Sequence, residues 1–572
     1  MASPNTTADL DGLAQDPSNS TLTQTSSAPA PFEFAMLLKP EYVSVIISAL
    51  TIIWLGAHGS LRRPPSAAPV KTKKGKKQPK EDRFQEGLAA SDAIMFPIVA
   101  GILLMSLYYL IEWLQDPTIL SKIMRGYMSL MAVMSLARLS ADALDILTSL
   151  VFPTTWADRS GKVYHIDADR RCQFVVDEAS GCELVVPEKK TPLPGFLSSL
   201  RLSYSFGQLL WGFRHLLTEE WTVRFAMHGM FFFKFNIKLN DILGFLVSLP
   251  AAIAYHYTGW NLFSNVLSTA MCYASFLMLS PTSVSIGTLV LWGLFVYDVV
   301  MVFYTPYMIT VAQKLDAPIK LVFEGPSGSS MLGLGDIVVP GMMMGIALRF
   351  DLFQFYKKQM KLEAVELISE STTGIAGDKP VTTTITETQF KRVKIPYVDT
   401  RGQWGNRFWC TRIGSLVPVK EAAEALAATA FPKPYFYASV AGYAAGMLVT
   451  LTMLLVFRHG QPALLYLVPG VTGSIWLTAL IRGEVKDIWA YTEDGSLDTE
   501  DVVVEVDADG QIVPKKEEEK RADGELEDCD KGAEEHQEDD GKAVKSKKEK
   551  EAGDYDVFLF SITAPRFALK ED

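Results

Sequence analysis

Two aspartates interrupt apolar stretches that otherwise carry no charge. Asp298 lies within Leu289–Phe303, and Asp336 lies within Met331–Pro340. An ionisable side chain at hydrocarbon depth is costly, so such a residue is a functional candidate by default. Two carboxylates in one low-dielectric site hold a single proton over a broad pH range. The charged member can activate water while the protonated member polarises a carbonyl, which is aspartic-protease chemistry and needs no metal or cofactor.

The spacing of the two aspartates favours their pairing. Asp298 lies eight residues before Pro306, where its span is expected to end, and Asp336 lies five residues after the start of the next span. A rise of 1.5 Å per residue gives depths of roughly 12 and 8 Å from the same membrane face. Gly333 and Gly335 are expected to permit close helix approach and a locally unwound backbone beside Asp336.

Other interpretations of these residues remain open on spacing alone. Buried carboxylates also cap helices or form proton relays in transporters and proton-coupled channels, although a transport path predicts further polar residues along it. A non-proteolytic scaffold for membrane quality control is a further alternative. Gly325-Pro326-Ser327-Gly328, with His459 as a base, matches a short serine-protease motif. A linker serine and an interfacial histidine are the preferred interpretation of that match.

Nine apolar stretches are long enough to cross a bilayer, which takes roughly 20 residues in a helix. We therefore predict an all-α polytopic membrane protein with nine transmembrane helices. The predicted spans are Tyr42–His58, Ala93–Leu114, Ile123–Val151, Asp241–Tyr257, Asn261–Leu279, Val284–Pro306, Met331–Phe350, Tyr435–Phe457 and Pro462–Ile481.

The distribution of basic residues predicts the orientation. Residues 1–41 contain one basic residue, Lys39, whereas the loop 59–92 after the first span is strongly basic. The positive-inside rule therefore places the N-terminus in the lumen, and nine spans place the C-terminus in the cytosol. Asn5 and Asn19 head glycosylation sequons that agree with a lumenal tail.

The rest of the chain divides into soluble inserts and a tail. Residues 487–572 hold 28 acidic against 12 basic residues and are predicted to be a disordered acidic cytosolic tail. The five cysteines are scattered, so neither a disulfide scaffold nor a zinc site is expected, and no nucleic-acid partner is predicted. The predicted segments are 1–41 (lumenal tail), 42–152 (helices 1–3), 153–235 (cytosolic insert), 236–350 (helices 4–7), 351–434 (cytosolic insert), 435–486 (helices 8–9) and 487–572.

Three short motifs, in order along the chain, resemble the presenilin-type intramembrane aspartyl proteases of the signal peptide peptidase family. They are Tyr297-Asp298, Gly333-Leu334-Gly335-Asp336 and Pro462-Ala463-Leu464. Each stands at the end of a span where the family places it. The predicted orientation, with the N-terminus in the lumen, is that of signal peptide peptidases.

The resemblance implies a function and a site. It implies an aspartic endopeptidase that cuts peptide bonds inside transmembrane segments, with Asp298 and Asp336 as the catalytic pair. Pro462, Ala463 and Leu464 would then shape the site. The implied substrates are remnant signal peptides and type II membrane proteins in the endoplasmic reticulum membrane. Homo-oligomerisation and quality-control partners are left open.

Overall fold

The protein is described by a computed structural model. It describes residues 39–69, 86–114, 117–158, 162–168, 170–176, 183–200, 202–227, 231–314, 320–325, 328–375, 380–411, 430–457, 460–497, 503–504 and 558–564. The predicted glycosylation sites Asn5 and Asn19, together with Ser327 and His459, lie outside these residues.

Most of the described chain is helical, as the sequence predicts. Long apolar helices alternate with short ones at the bundle ends. The helices are α1 Pro40–Gly59, α2 Asp92–Leu114, α3 Pro117–Val151, α4 Tyr204–Thr218, α5 Leu239–Thr258, α6 Asn261–Met278, α7 Val284–Phe303, α8 Tyr307–Lys314, α9 Gly335–Gln359, α10 Trp404–Trp409, α11 Pro434–Phe457, α12 Leu464–Arg482 and α13 Val485–Ala490.

Six of these helices are long and apolar enough to cross a membrane, namely α1, α2, α5, α7, α11 and α12. The other three predicted spans coincide with α3, α6 and α9, which are helical but less apolar. Burial accounts for the composition of α9. Every residue from Pro340 to Leu352 is buried within the bundle, so this helix meets neighbouring helices and does not have to match lipid.

The predicted bounds of the seventh span are wrong at both ends. Residues Gly328–Gly333 form a strand that pairs with Lys320–Gly325, and α9 begins only at Gly335. The helix then continues beyond the predicted end at Phe350. Asp351 is tolerated there because its carboxylate accepts hydrogen bonds from the first free N–H groups of α11, at 3.2 Å from Tyr435 N and 2.9 Å from Phe436 N.

Contacts at the helix ends show the relative directions of four helices. At the end where α1 finishes, the Ser60 hydroxyl accepts a hydrogen bond at 3.0 Å from Arg349, which lies in the second half of α9. Where α1 begins, Glu41 lies against Gly325 in the connection that precedes α9. The two helices therefore run in parallel. α7 runs antiparallel to α12, because Asp298 near the end of α7 accepts a hydrogen bond from Leu464 N at the start of α12.

The main core lies between α1, α6, α7, α9, α11 and α12. In contrast, α2 lies at the periphery and exposes large apolar side chains, among them Ile94, Ile98, Ile102 and Leu103. A water-soluble protein rarely exposes such a continuous apolar surface, so this face is suited to lipid.

The all-α prediction applies to the bundle, whereas the described segments outside the spans carry five small sheets. One is parallel (β1–β8); the others, β2–β3–β4–β5, β14–β6–β7, β9–β10 and β11–β12–β13, are antiparallel. The strands are β1 Glu86–Leu88, β2 Thr155–Ala157, β3 Val163–Asp167, β4 Cys172–Val176, β5 Glu183–Val185, β6 Glu220–Met227, β7 Phe231–Lys238, β8 Leu279–Pro281, β9 Lys320–Gly325, β10 Gly328–Gly333, β11 Lys361–Ile375, β12 Pro380–Val393, β13 Val503–Val504 and β14 Phe558–Thr563.

The predicted disordered tail is also wrong in its described parts. Residues 485–497 return to the bundle, and the Glu493 side chain there is only 4% exposed. Its carboxylate accepts hydrogen bonds from Arg349 Nε at 2.8 Å and from the Tyr491 hydroxyl at 2.6 Å, and it pairs with Arg62. Segments from α1, α9 and the tail are thereby joined through one buried carboxylate.

Loss of this carboxylate is expected to destabilise the protein. In Glu493→Ala, the buried Arg349 would lose its acidic partner, which costs about 3–5 kcal/mol. Glu493→Gln should cost less because the amide oxygen still accepts a hydrogen bond. The neighbouring exposed Asp494 offers a matched control, and Asp494→Ala should leave the melting temperature in lipid nanodiscs almost unchanged.

The same carboxylate predicts a pH dependence. Burial alone would raise the pKa of Glu493, but the charges of Arg349 and Arg62 outweigh burial and hold the pKa below its ordinary value. The stabilisation is therefore complete above the unfolded pKa, about 4.3, and is lost as the pH falls through the folded pKa. The difference in melting temperature between wild type and Glu493→Gln should be constant from pH 7 to about pH 5 and shrink only in stronger acid. A difference that shrinks already between pH 7 and 6 would contradict the assignment.

Candidate active site

Asp298 lies in the last third of α7, five residues before the helix ends at Phe303. Its side chain is buried, with 5% of its surface exposed. The helix forms because Val284–Phe303 is almost uniformly apolar, and the Ser283 hydroxyl caps its start by accepting a hydrogen bond from Ile286 N at 3.2 Å. The position of Asp298 is therefore set by a rigid element.

The Asp298 carboxylate is bound to the start of α12. Its Oδ2 accepts a hydrogen bond from the backbone N–H of Leu464 at 3.0 Å, and Leu464 is the first residue of that helix. The first N–H groups of a helix have no partner within the helix. Asp298 supplies one of those partners, so the structure brings the predicted motif Pro462-Ala463-Leu464 directly against the first aspartate.

Asp336 occupies the first turn of α9, directly after the β9–β10 hairpin. Its carboxyl group lies close enough to Asp298 to interact with it electrostatically. Its backbone carbonyl accepts a hydrogen bond from the Tyr443 hydroxyl of α11 at 3.3 Å. The two carboxyl groups therefore lie within electrostatic range of each other, and Asp336 lies at a helix start and not one and a half turns inside a helix as predicted.

The two glycines beside Asp336 have different surroundings. A Cβ atom added to Gly333 would lie 3.4 Å from Oδ2 of Asp336, whereas one added to Gly335 would have no heavy atom within 4 Å. The backbone of Gly335 is not left-handed and begins the helix. The expectation that Gly335 permits close helix approach and an unwound backbone is therefore wrong; this glycine leaves open space beside the carboxyl pair.

Tyr297 and Leu334 each pack against a neighbouring part of the bundle. The Tyr297 ring is directed to α2, where its edge would lie 3.8 Å from a Cβ atom placed on Gly101. Leu334 precedes the first residue of α9 and packs on the main core. Tyr297 therefore lies where α2 packs on α7, and Leu334 lies where the core packs on the start of α9.

Tyr443 is a site residue that the sequence analysis missed. It is fully buried and lies in the Gly442-Tyr443-Ala444-Ala445-Gly446 segment of α11. That segment is a Gly-x-x-x-Gly motif, which brings membrane helices into close contact. The motif is a signal that could have identified α11 as a helix packed against the site.

Glycines bring α11 and α12 so close that no side chain fits between them. A Cβ atom on Gly442 would lie 2.3 Å from the Gly470 carbonyl oxygen, and one on Gly470 would lie 2.6 Å from the Gly442 carbonyl oxygen. This pair of helices presents Tyr443 to Asp336 and Leu464 to Asp298. The α11–α12 contact therefore connects both aspartates.

The described residues include no group of three or more His, Cys, Asp or Glu side chains placed to hold a metal ion. The aspartates, an N–H donor and open space beside Gly335 make up the site. Such a constellation can bind a water molecule and a carbonyl group and move protons between them.

A family model described as signal peptide peptidase matches residues 79–495 of the chain. "Intramembrane protease 2" of Caenorhabditis elegans is 28% identical over 287 residues, which cover 49% of this chain and 48% of that protein. The signal peptide peptidase of Homo sapiens is 24% identical over 499 residues, 85% of this chain and 90% of that protein.

The signal peptide peptidase of Mus musculus is 29% identical over 243 residues, 41% of this chain and 45% of that protein. The chain thus spans about half the length of the worm and mouse relatives that it matches, and nine tenths of the human one. No solved structure matches the chain.

Proposed function

The chain belongs to the signal peptide peptidase family of intramembrane proteases, and from this premise we propose that Asp298 and Asp336 hydrolyse peptide bonds inside transmembrane segments. The observation that carries the proposal is the convergence of two helix starts on the carboxyl pair. The start of α12 donates the Leu464 N–H to Asp298, and Asp336 itself lies in the first turn of α9. The partial positive charges of both helix starts stabilise the single negative charge that such a pair carries. The relatives give no support to the transporter alternative.

The hydrogen bond from Leu464 assigns different roles to the two aspartates. A hydrogen bond from a backbone N–H favours the charged form of a carboxylate. Asp298 is accordingly the base and Asp336 carries the shared proton. As Asp298 removes a proton from water, the water oxygen attacks the carbonyl carbon of the substrate, and Asp336 donates its proton to the carbonyl oxygen.

The tetrahedral diol intermediate then breaks down, and each aspartate returns to its starting protonation state. Asp298 donates the proton it took to the amide nitrogen, the carbon–nitrogen bond breaks, and Asp336 regains a proton from a hydroxyl group of the former diol. The products are a carboxylic acid and an amine, and the pair again holds one proton. No covalent bond forms between enzyme and substrate.

The open space beside Gly335 is the place for the substrate backbone. A helical substrate hides its amides in its own hydrogen bonds, so it must unwind locally before it can lie beside the aspartates. Residues that weaken helices near the cut are expected to favour cleavage. By analogy with the family, the substrates are remnant signal peptides and type II membrane proteins.

A direct assay tests this function. The purified full chain, reconstituted in liposomes with a labelled transmembrane peptide, should release two fragments whose new ends lie inside the apolar segment. Cleavage confined to the flanking water-exposed residues of the peptide would overturn the proposal.

We propose that the nine helices α1–α3, α5–α7, α9, α11 and α12 all cross the membrane. Contacts at the helix ends support this arrangement, because α5 begins beside the end of α3 and α12 begins beside the end of α7, so the helices of each pair run in opposite directions. The basic loop after α1 supports a lumenal N-terminus and a cytosolic C-terminus in the endoplasmic reticulum.

Microsomes provide a test of this orientation. Glycosidase should increase the electrophoretic mobility of the wild type but not that of the combined Asn5→Gln and Asn19→Gln variant. Protease added outside intact microsomes should remove an epitope placed at the C-terminus. Protection of this epitope until detergent is added would contradict nine spans with a lumenal start.

A further inference from the structure

The β14–β6–β7 sheet has one apolar face and a second face that is mostly polar, apart from the row formed by Ala226, Phe232 and Leu559. Directly opposed residues of antiparallel strands place their side chains on the same face. Phe225 of the central strand β6 opposes Phe233 and Phe560, and Val223 opposes Phe235 and Ile562. The alternate positions form the other face, and they include Thr222, Arg224, Lys234, Asn236, Ser561 and Thr563.

The outer strands expose their apolar side chains. Phe233 and Phe235 of β7 are 55% and 51% exposed, and Phe560 and Ile562 of β14 are 58% and 56% exposed. We call these four residues the aromatic face. Four large apolar side chains on one face of a small sheet form the kind of patch that marks an interaction surface.

The chain path fixes this sheet at the membrane boundary. β7 ends at Lys238 and α5, a candidate membrane span, begins at Leu239 without a linker. Phe235 precedes Leu239 by four residues, a distance of roughly 13 Å along an extended strand. The polar layer on one side of a bilayer is about 5–7 Å thick, half of the roughly 10–15 Å by which the whole bilayer exceeds its hydrocarbon core. For Phe235 to remain in this layer, β7 has to run along the membrane surface and not straight away from it.

Charged contacts mark where water begins. Lys238 Nζ lies 3.6 Å from Asp145 and 3.7 Å from Glu220, and Arg138 lies 3.8 Å from Asp241. These groups surround the junction of β7 and α5. Beyond them, α5 exposes Ile242, Leu243, Phe245 and Leu246, as lipid contact requires.

The neighbouring helix α4 carries a second exposed apolar stripe. Phe206, Leu209, Phe213 and Leu216 are 52%, 65%, 49% and 40% exposed, and their spacing places them on one side of a helix. The opposite side is held by the protein, because Trp211 Nε1 donates to the Lys190 carbonyl at 3.0 Å and Arg214 donates to the Pro153 carbonyl at 3.2 Å.

An apolar stripe turned away from the protein is typical of helices that lie in a membrane interface. The helix packs on α5 and is separated from β6 only by Glu219. It therefore belongs to the same region of the molecule as the aromatic face.

We propose that the aromatic face and the exposed stripe of α4 rest on the bilayer surface at which α5 enters the membrane. The partner is the lipid interface, because this surface is continuous with the lipid-facing side of α5 and is rich in the aromatic residues that accumulate at headgroup level. β14 completes the sheet, so the end of the tail is held at the membrane as well. The proposal depends on α5 as a membrane span and is independent of the catalytic chemistry.

A depth measurement on the full chain tests the proposal. A fluorescent non-natural amino acid would replace Phe560 or Leu209, with Ser561, on the polar face of the same strand, as the matched control. In nanodiscs, lipids brominated near the headgroup should quench the probe at 560 and at 209 at least about threefold more than the probe at 561, because only the former lie in the interface. Aqueous iodide should show the reverse order.

Equal lipid quenching at 560 and 561 would overturn the proposal, as would strong iodide quenching at 560. Formation of cross-linked dimers through a cysteine in Phe560→Cys, with no lipid quenching, would identify a second copy as the partner and would also overturn it. The measurement can be made in an Asp336→Asn background, so loss of catalysis does not affect its outcome. Thermal unfolding of each labelled protein verifies that the fold is retained.

Discussion

Asparagine in place of Asp298 or Asp336 is expected to reduce cleavage of a transmembrane peptide by at least about 10⁴-fold, with the double variant no less active than either single one. The reason is that the two carboxyl groups act as one unit, in which one holds the charge and the other the proton. An amide can neither take a proton from water nor return one to the leaving nitrogen. The expected loss therefore appears in kcat, measured in liposomes at saturating peptide.

Asp351 offers a matched control on the same helix as Asp336. It is also a buried carboxylate, but it caps α11 through the Tyr435 and Phe436 N–H groups at the other end of the bundle. Asp351→Asn should lower the melting temperature and leave most of the cleavage rate. If Asp351→Asn and Asp336→Asn have the same melting temperature and are equally inactive, general damage to the fold and not the chemistry of Asp336 explains the loss.

Gly470→Ala is expected to be the second most damaging of the changes considered. The added Cβ would lie 2.6 Å from the carbonyl oxygen of Gly442, closer than such atoms approach, so α11 and α12 must separate. Separation moves the Leu464 N–H away from Asp298 and the Tyr443 hydroxyl away from Asp336. A displacement of about 1 Å costs on the order of 100-fold in rate, and overpacking costs about 1–3 kcal/mol of stability.

Gly473→Ala is the matched control for this prediction. It adds the same methyl group to the same helix, but its Cβ would have no heavy atom within 4 Å. Its cleavage rate should equal that of the wild type. Its melting temperature should be equal or slightly higher, because alanine stabilises a helix relative to glycine. Equal activity of Gly470→Ala and Gly473→Ala would show that the close contact of α11 and α12 is not needed for the site.

The aspartates could be found from the sequence because burial of charge in an apolar span has few explanations. Their partners were harder to find. Leu464 contributes only its backbone N–H, which any residue carries, and Tyr443 differs from other buried aromatic residues only in the hydrogen bond that its hydroxyl donates. Such contacts depend on how helices pack. Leu464 was therefore found only through the family resemblance, and Tyr443 was missed although a Gly-x-x-x-Gly motif surrounds it.

The errors in the fold have similar physical causes. α9 carries Arg349 and Asp351 because it is surrounded by protein, so hydropathy underestimates its length. Composition correctly indicates a polar tail, but Glu493 pairs with Arg349 across 144 residues, and β14 pairs with β6 across more than 300. Local sequence cannot reveal partners at such separations.

The central claim is that Asp298 and Asp336 hydrolyse a transmembrane peptide bond directly with water. The most direct test is mass spectrometry of a single-turnover reaction in ¹⁸O-labelled water, stopped by acid. The account predicts two fragments cut inside the apolar segment, one ¹⁸O atom in the new carboxyl group, the chain itself at its unmodified mass, and no fragments from Asp336→Asn. A peptide acyl group attached to the chain, or the same fragments from Asp336→Asn, would contradict it.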